Sequence, residues 1–401
     1  MDATIAVRAR GTRVLSLICS GHFVSHFYMM VLPPLFPFIS GDLGLSYAEL
    51  GFLLTARFVA TGLAQVPAGF LVDRYGAKLV LVGGMVLMVL GYILFTFGGG
   101  FWPLLLFACV GGTGDAVFHP ADYAILNGSM AQDRMGRAYS FHTFAGHIGF
   151  AVGPATMPFL AVAFGWRAAM LAAALFGFAI LVAILSQWNT LSEEDGAKPS
   201  KKDKGDSAAR GISVLLNPPI LLLFGFFTIS TLASNGITGF SVSALIKLQD
   251  VPAELAGTPL SAFMLASAFA VLAGGIVADR KIRQDLFAAF GFLMAALIIL
   301  AIAAVPLPYV GLLGAFATAG FFLGVIRPAR DLMVRDLAPP GASGKVFGFV
   351  FSGQTVGGAI APPIYGYLVD LGSPSTVFFV SAGFLFLGIL TVIGGRKLIV
   401  N

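Results

Sequence analysis

Along this chain the apolar residues do not alternate with polar ones; they gather into long runs broken by short polar turns. The runs fall near 14–40, 47–72, 77–97, 102–128, 137–163 and 167–187, then near 214–245, 257–278, 285–305, 308–334, 345–369 and 374–395. Each approaches or exceeds the roughly twenty residues that carry an α-helix across about 30 Å of hydrocarbon. Lipid offers no partner to a backbone N–H or C=O, so spans of this kind must be helical. The pattern predicts an all-α membrane protein with twelve transmembrane helices. Residues 188–213 interrupt it with Glu193, Glu194, Asp195, Lys198, Lys201, Lys202, Asp203, Lys204, Asp206 and Arg210, which reads as a solvated linker. The expected domains are a six-helix bundle over 1–187, a linker over 188–213 and a second six-helix bundle over 214–401.

Composition agrees with this division. Hydrophobic residues make up 58% of the chain and charged residues 11%, against about 25% charged in a soluble domain. The two cysteines, Cys19 and Cys109, lie inside apolar runs and imply neither a disulfide framework nor a thiolate metal cluster. The net charge of +5 does not form a nucleic-acid patch, because the basic residues are spread over short loops. With the N-terminus inside, the inner loops hold Arg74, Lys78, Arg134, Arg137, the linker lysines, Arg280, Lys281, Arg283, Arg335, Lys345, Arg396 and Lys397, while the outer side holds Arg167 and Lys247. That asymmetry predicts cytoplasmic termini and linker. Arg8, Arg10 and Arg13 precede an apolar run of full spanning length, which reads as helix 1 and not as a cleaved signal.

Ionisable residues inside the runs are costly in lipid and belong on helices that face protein or water. The third, sixth, ninth and twelfth runs have none in their interiors; all intramembrane charges and histidines fall in runs 1, 2, 4, 5 and 10. Counting from helix middles puts His26, Arg57, Asp115 and His147 near the membrane centre. His22, His119 and Arg327 fall one or two turns towards the cytoplasm, with Asp122 and Arg330 deeper still. His22, His119, Asp115 and Asp122 are candidates for proton coupling, since buried acids and imidazoles can exchange protons near neutral pH. Arg57, Arg327 and Arg330 cannot discharge and need anions. Asp115, Asp122 and Asp331 are available to pair with them, while an arginine left open to a cavity recognises carboxylate or phosphonate. Arg57, His26, His119, Arg327, Asn235 and Gln354 are therefore the candidate substrate-binding residues. Each of them, taken singly, is also readable as a buried polar group satisfied by a neighbouring helix, and Tyr28, Tyr123 and Phe240 as packing.

The halves repeat. Gly69-Phe-Leu-Val-Asp73-Arg74 recurs as Gly275-Ile-Val-Ala-Asp279-Arg280; Pro120-Ala121, Gly136-Arg137, Phe141, Gly149 and Pro154 recur as Pro328-Ala329, Gly344-Lys345, Phe349, Gly357 and Pro362. The chain is read as two six-helix pseudo-repeats. Gly69-x-x-x-Asp73-Arg74-x-Gly76-x-Lys78 resembles the inner-loop signature of the major facilitator superfamily, and Gly149-x-x-x-Gly153-Pro154 its antiporter-type motif. His22, Leu32-Pro33-Pro34-Leu35-Phe36-Pro37 and Phe118-His119-Pro120 look most similar to the fosmidomycin-resistance, drug-efflux group. The chain departs from the pattern in lacking an arginine early in helix 4 and in carrying Ala121-Asp122 where a glutamate is expected.

The resemblance implies a rocker-switch transporter of the cell inner membrane, acting as a monomer, with helices 1, 4, 7 and 10 lining a cavity. Asp73, Arg74, Asp279 and Arg280 are then gates that latch the cytoplasmic side against helix N-termini. A glycine–lysine phosphate loop is absent from the sequence, so an ion gradient, most simply protons, is the expected energy source. No cofactor, resident metal or enzyme chemistry is expected. The partners are protons, the lipid bilayer and a small, anionic organic substrate, moved by proton-coupled efflux. Alternatives are carboxylate uptake by symport, a membrane sensor, and a divalent-metal transporter using His22, His26, His119, Asp115 and His147, against which stand the charges of Arg57 and Arg327.

Overall fold

The computed structural model describes residues 3–131, 134–191, 215–280, 282–339 and 343–400, with side chains described for 10–131, 134–191, 215–280, 282–339 and 345–393. The linker charges from Glu193 to Arg210, together with Lys281 and the side chains of Arg8, Arg396 and Lys397, lie outside these residues. Among the described residues all regular structure is helical. Among the described residues eleven segments are long and apolar enough to span a membrane. The helix Ser343–Asp370 falls short of that hydropathy because Ser352, Gly353, Gln354, Thr355, Gly357 and Gly358 dilute its middle. Its 28 residues nevertheless reach about 42 Å at 1.5 Å each, and it supplies the twelfth span.

The first compact unit comprises Met1–Leu45 and Ala56–Lys202. It contains α1 (Ala3–Met29), α2 (Phe36–Leu43), the later part of α3 (Tyr47–Tyr75), α4 (Ala77–Phe95), α5 (Phe101–Asp115), α6 (Phe118–Ser129), α7 (Met135–Phe164) and α8 (Trp166–Ser186). The second unit, Ser46–Thr55 and Asp203–Asn401, begins with the first turns of α3. It continues with α9 (Pro218–Asn235), α10 (Ser241–Leu248), α11 (Thr258–Ala278), α12 (Gln284–Ala304), α13 (Tyr309–Val325), α14 (Arg327–Leu337), α15 (Ser343–Asp370) and α16 (Ser375–Val400).

The sequence repeat reappears as repeated packing. In the first unit α1 packs on α7, α4 on α5 and α8, and α1 on α8; in the second α9 packs on α15, α12 on α13 and α16, and α9 on α16. Corresponding glycines permit the first of these contacts. A Cβ on Gly149 would stand 2.4 Å from the Phe23 carbonyl oxygen, and one on Gly357 would stand 2.6 Å from that of Thr228. Van der Waals packing of close backbones is what holds helices together in lipid.

Chain ends of helices are set by local chemistry. Gly76, in the Asp73-Arg74 loop, turns the chain from α3 into α4 at φ +88°, a conformation that strains any residue with a Cβ. At the start of α3, Ser46 and Glu49 form a reciprocal capping box, with Ser46 N–H donating to Glu49 Oε2 at 2.8 Å and Glu49 N–H to Ser46 Oγ at 3.1 Å. The Asp370 carboxylate accepts the next two orphan amides, Tyr47 N–H at 2.8 Å and Ala48 N–H at 2.9 Å.

Gly149→Val should destabilise the protein by about 1–3 kcal/mol through overpacking of α7 on α1, read as a lower melting temperature in detergent. Gly136→Ala, where a Cβ meets no atom within 4 Å, should leave it unchanged or raised.

Candidate functional site

Among the described residues four of the spanning segments are interrupted. Helix 1 stops at Met29 and resumes as α2 through a 3-10 turn at Pro33–Leu35. Helix 4 breaks between Asp115 and Phe118, and helix 10 between Val325 and Arg327. Helix 7 passes through a π-helical turn at Gly236–Phe240. Pro33, Pro34, Pro120 and Pro328 lack the N–H that would continue the ladder and suit the first turn of a new helix. Helix 7 has no proline there; its turn holds Gly236 and Gly239, and single π-turns recur at functional sites. The interruptions fall on segments 1 and 4 of one unit and on their counterparts 7 and 10 in the other. Interrupted helices at membrane depth are the usual place for a transporter to present polar groups.

In the first unit, α1, α6 and α7 converge on Asp122, whose side chain is fully buried. His142 Nε2 lies 2.9 Å and His22 Nδ1 3.3 Å from the same oxygen, Oδ2. A carboxylate only accepts, so the 2.9 Å contact requires a proton on one partner. The imidazoles of His22 and His142 stack with centroids 3.7 Å apart; His26 follows at 4.3 Å and His119 at 5.4 Å from His22. Gly146 makes room for them, since a Cβ there would stand 2.7 Å from His26 Nδ1 and 2.8 Å from His22 Nε2. The structure thus brings together His22, His26, His119 and Asp122 and adds His142 to them. His147 turns aside, its Nδ1 2.8 Å from the Thr143 carbonyl.

Arg57 and Asp115, read separately from the sequence as a substrate group and a proton group, are each other's partners. Arg57 Nη2 donates to Asp115 Oδ2 at 3.1 Å and Ser25 Oγ to Oδ1 at 2.5 Å, with Arg57 only 6% exposed. This is the pairing that the sequence held open as the structural alternative. It closes around Gly112, where a Cβ would stand 2.5 Å from the Arg57 carbonyl oxygen.

In the second unit Arg327 opens α14, with Arg330 one turn on and Asp331 four residues after Arg327 on the same face. The Arg330 guanidinium lies 5.0 Å over the Phe227 ring, and its buried Nε has no hydrogen-bond partner among the described residues. Asn235, at the end of α9, is buried and donates to the Thr231 carbonyl at 2.9 Å, while Gln354 is exposed on α15. Asp73 and Arg74 at the end of α3, and Asp279 and Arg280 just past α11, are exposed. Tyr28 and Phe240 are fully buried core, against Tyr92 and Tyr365 respectively; Tyr123 is exposed beside His119 and His142.

A family model described as the Major Facilitator Superfamily matches residues 18–310 and 228–397. The fosmidomycin resistance protein of Escherichia coli (strain K12) is 25% identical over 391 residues, covering 94% of this chain and 92% of its own. Multidrug resistance protein MdtH of Proteus mirabilis (strain HI4320) is 27% identical over 355 residues, covering 84% and 83%. Among solved structures, the nucleoside transporter NupG superposes with a TM-score of 0.80 at 14% identity over 95% of this chain and 99% of that one. A bacterial homologue of the human lysosomal transporter Spinster gives 0.76 at 14% identity over 96% and 95%. These two likenesses show the fold.

Removing one member of a buried ion pair strands the other, at about 3–5 kcal/mol. Arg57→Leu and Asp115→Leu should each lower the melting temperature strongly, and the double variant should recover most of the loss. Additive losses in that thermal double-mutant cycle would contradict the pairing.

Proposed function

The chain belongs to the major facilitator superfamily, and on that premise we propose that it is a secondary active transporter for a small organic anion or drug. It works by proton-coupled alternating access, with efflux by antiport as its direction. The observation that carries the anion reading is the start of α14. Arg327 is its first residue and Arg330 falls in its first turn, where the helix already presents unsatisfied N–H groups and a partial positive charge. Arg327, Arg330 and Asp331 together give the first turns of α14 a net positive charge beside the positive end of its dipole. A carboxylate or phosphonate is drawn to that charge, through the paired hydrogen bonds that a guanidinium fork favours. The names of the relatives associated with fosmidomycin and multidrug resistance support a drug or phosphonate as cargo.

Protons are the proposed coupling ion. Asp122 and His22 supply an acid and an imidazole that are buried together, with the exposed His119 ring 5.4 Å from that of His22, and Asp115 is a second acid whose charge Arg57 compensates. His26, Asn235 and Gln354 are assigned to substrate contact, with Arg57 reaching substrate only by exchanging Asp115 for it. Asp73, Arg74, Asp279 and Arg280 are assigned to gating. The lysine and arginine asymmetry supports a cell inner membrane location with both termini cytoplasmic.

Proteoliposome flux of fosmidomycin under an imposed pH gradient tests this reading. Flux should collapse with a protonophore. Arg327→Ala should lose at least about tenfold, the factor that a hydrogen bond to a charged group supplies. Flux indifferent to the gradient would overturn the coupling, and wild-type transport by both Arg327→Ala and Arg57→Ala would overturn the anion.

A further inference from the structure

We propose that His22, Asp122 and His142 form a binding site for one divalent transition-metal ion of the zinc, cobalt and nickel class. One ligand atom from each of the three lies within 4.8 Å of the other two, with separations of 3.3 Å from His22 Nδ1 and 2.9 Å from His142 Nε2 to Asp122 Oδ2. Donors bound tetrahedrally at about 2.0–2.1 Å stand about 3.4 Å from one another, near both separations to Asp122 Oδ2; closing on an ion would turn the stacked His22 and His142 rings apart so that their lone pairs converge. Two imidazoles and a carboxylate suit borderline transition ions. Magnesium and calcium call for six or more oxygens and are poorly served here.

Burial supplies the second argument. His22 is 2%, His142 1% and Asp122 0% exposed. A carboxylate so enclosed needs a cation, and a hydrogen bond to His142 leaves its other oxygen, Oδ1, without a hydrogen-bond partner among the described residues. His142 Nδ1 and His26 Nδ1 are unpartnered in the same way. An ion can engage both carboxylate oxygens or draw the remaining imidazoles inward as a fourth ligand. His26 and His119, at 4.3 and 5.4 Å from His22, are placed for that or for outer-shell support. Gly146 keeps the wall of the site flat, because a side chain there would occupy the space of the His22 and His26 rings.

The objection from repulsion weakens as well. Arg57, the cation of this unit that argued against a dication, is compensated by Asp115 at 3.1 Å. The site belongs to the first unit alone, and it stands or falls independently of anion transport. A metal held here would occupy the lone pairs assigned above to protons, and so compete with them.

The test uses full-length protein without a polyhistidine tag, in detergent, titrated with Co2+ alone. The expected result is one Co2+ per chain with the intense ligand-field absorption of four or five coordination, displaced by Zn2+ and not by Mg2+. His142→Ala and Asp122→Asn should each weaken binding by more than about 100-fold, beyond the loss usual for outer-shell changes. Absence of a stoichiometric Co2+ spectrum in the wild type would overturn the proposal, as would a spectrum unchanged in both variants. Should the variants not fold, X-ray absorption of the wild-type Co2+ complex decides: scattering from two imidazoles supports the site, and a shell of water oxygens alone refutes it. Fosmidomycin flux reads the anion proposal separately, through Arg327.

Discussion

A carboxylate sealed from water inside a membrane must be met by positive charge or by donors, and Asp122 is met on one oxygen by a hydrogen bond with His142 Nε2, with His22 Nδ1 3.3 Å from the same atom. Much of the first unit is arranged so that this can happen. α6 must restart at Phe118 for Asp122 to point inward, α7 must carry His142 opposite it, and α1 must bring His22 between them. Gly146 and Gly149 let α7 come near enough to α1 for the rings to stack. The same rule governs Arg57, which cannot lose its charge and takes Asp115, itself steadied by Ser25. The second unit sets its fixed charges differently, with Arg327, Arg330 and Asp331 together in the first turns of α14.

Duplication explains where those cations sit. Each unit breaks its first and fourth spanning segments, and the fourth segments break before Pro120 and Pro328, which are 208 positions apart. At this one shared architectural point the first copy carries His119 and the second carries Arg327. One half thus carries an imidazole at this point and the other a fixed positive charge, by a change of residue type with the backbone left alike. On the function proposed above, coupling would fall to the first copy and recognition to the second.

The architecture was legible because lipid imposes one rule on every span: apolar runs map onto helices, and the repeat maps onto repeated packing of α1 on α7 and α9 on α15. Ser343–Asp370 follows the same rule as the run near 345–369, although its glycines and Gln354 lower its hydropathy. The interruptions were written in Pro33, Pro34, Pro120 and Pro328 but are invisible to a count of apolar residues, and the π-turn of helix 7 has only Gly236 and Gly239 to announce it. Clustering of His22, His26, His119 and Asp122 could be expected from their depth on helices 1 and 4. Partner choice could not. Arg57 and Asp115 stand 58 positions apart, and depth gives no azimuth. His142 is not assignable from the sequence because, 20 positions from Asp122 across a turn, nothing in the local pattern tells which way its helix face points.

One carboxylate organises the imidazoles of the first bundle. Nitrogen-15 spectra of histidine-labelled protein, taken on the wild type and on Asp122→Asn at a single pH, test this. The substitution should move the ring-nitrogen resonances of His22 and His142 together and leave that of His147 in place. Resonances of His22 and His142 that stay where they are would contradict it.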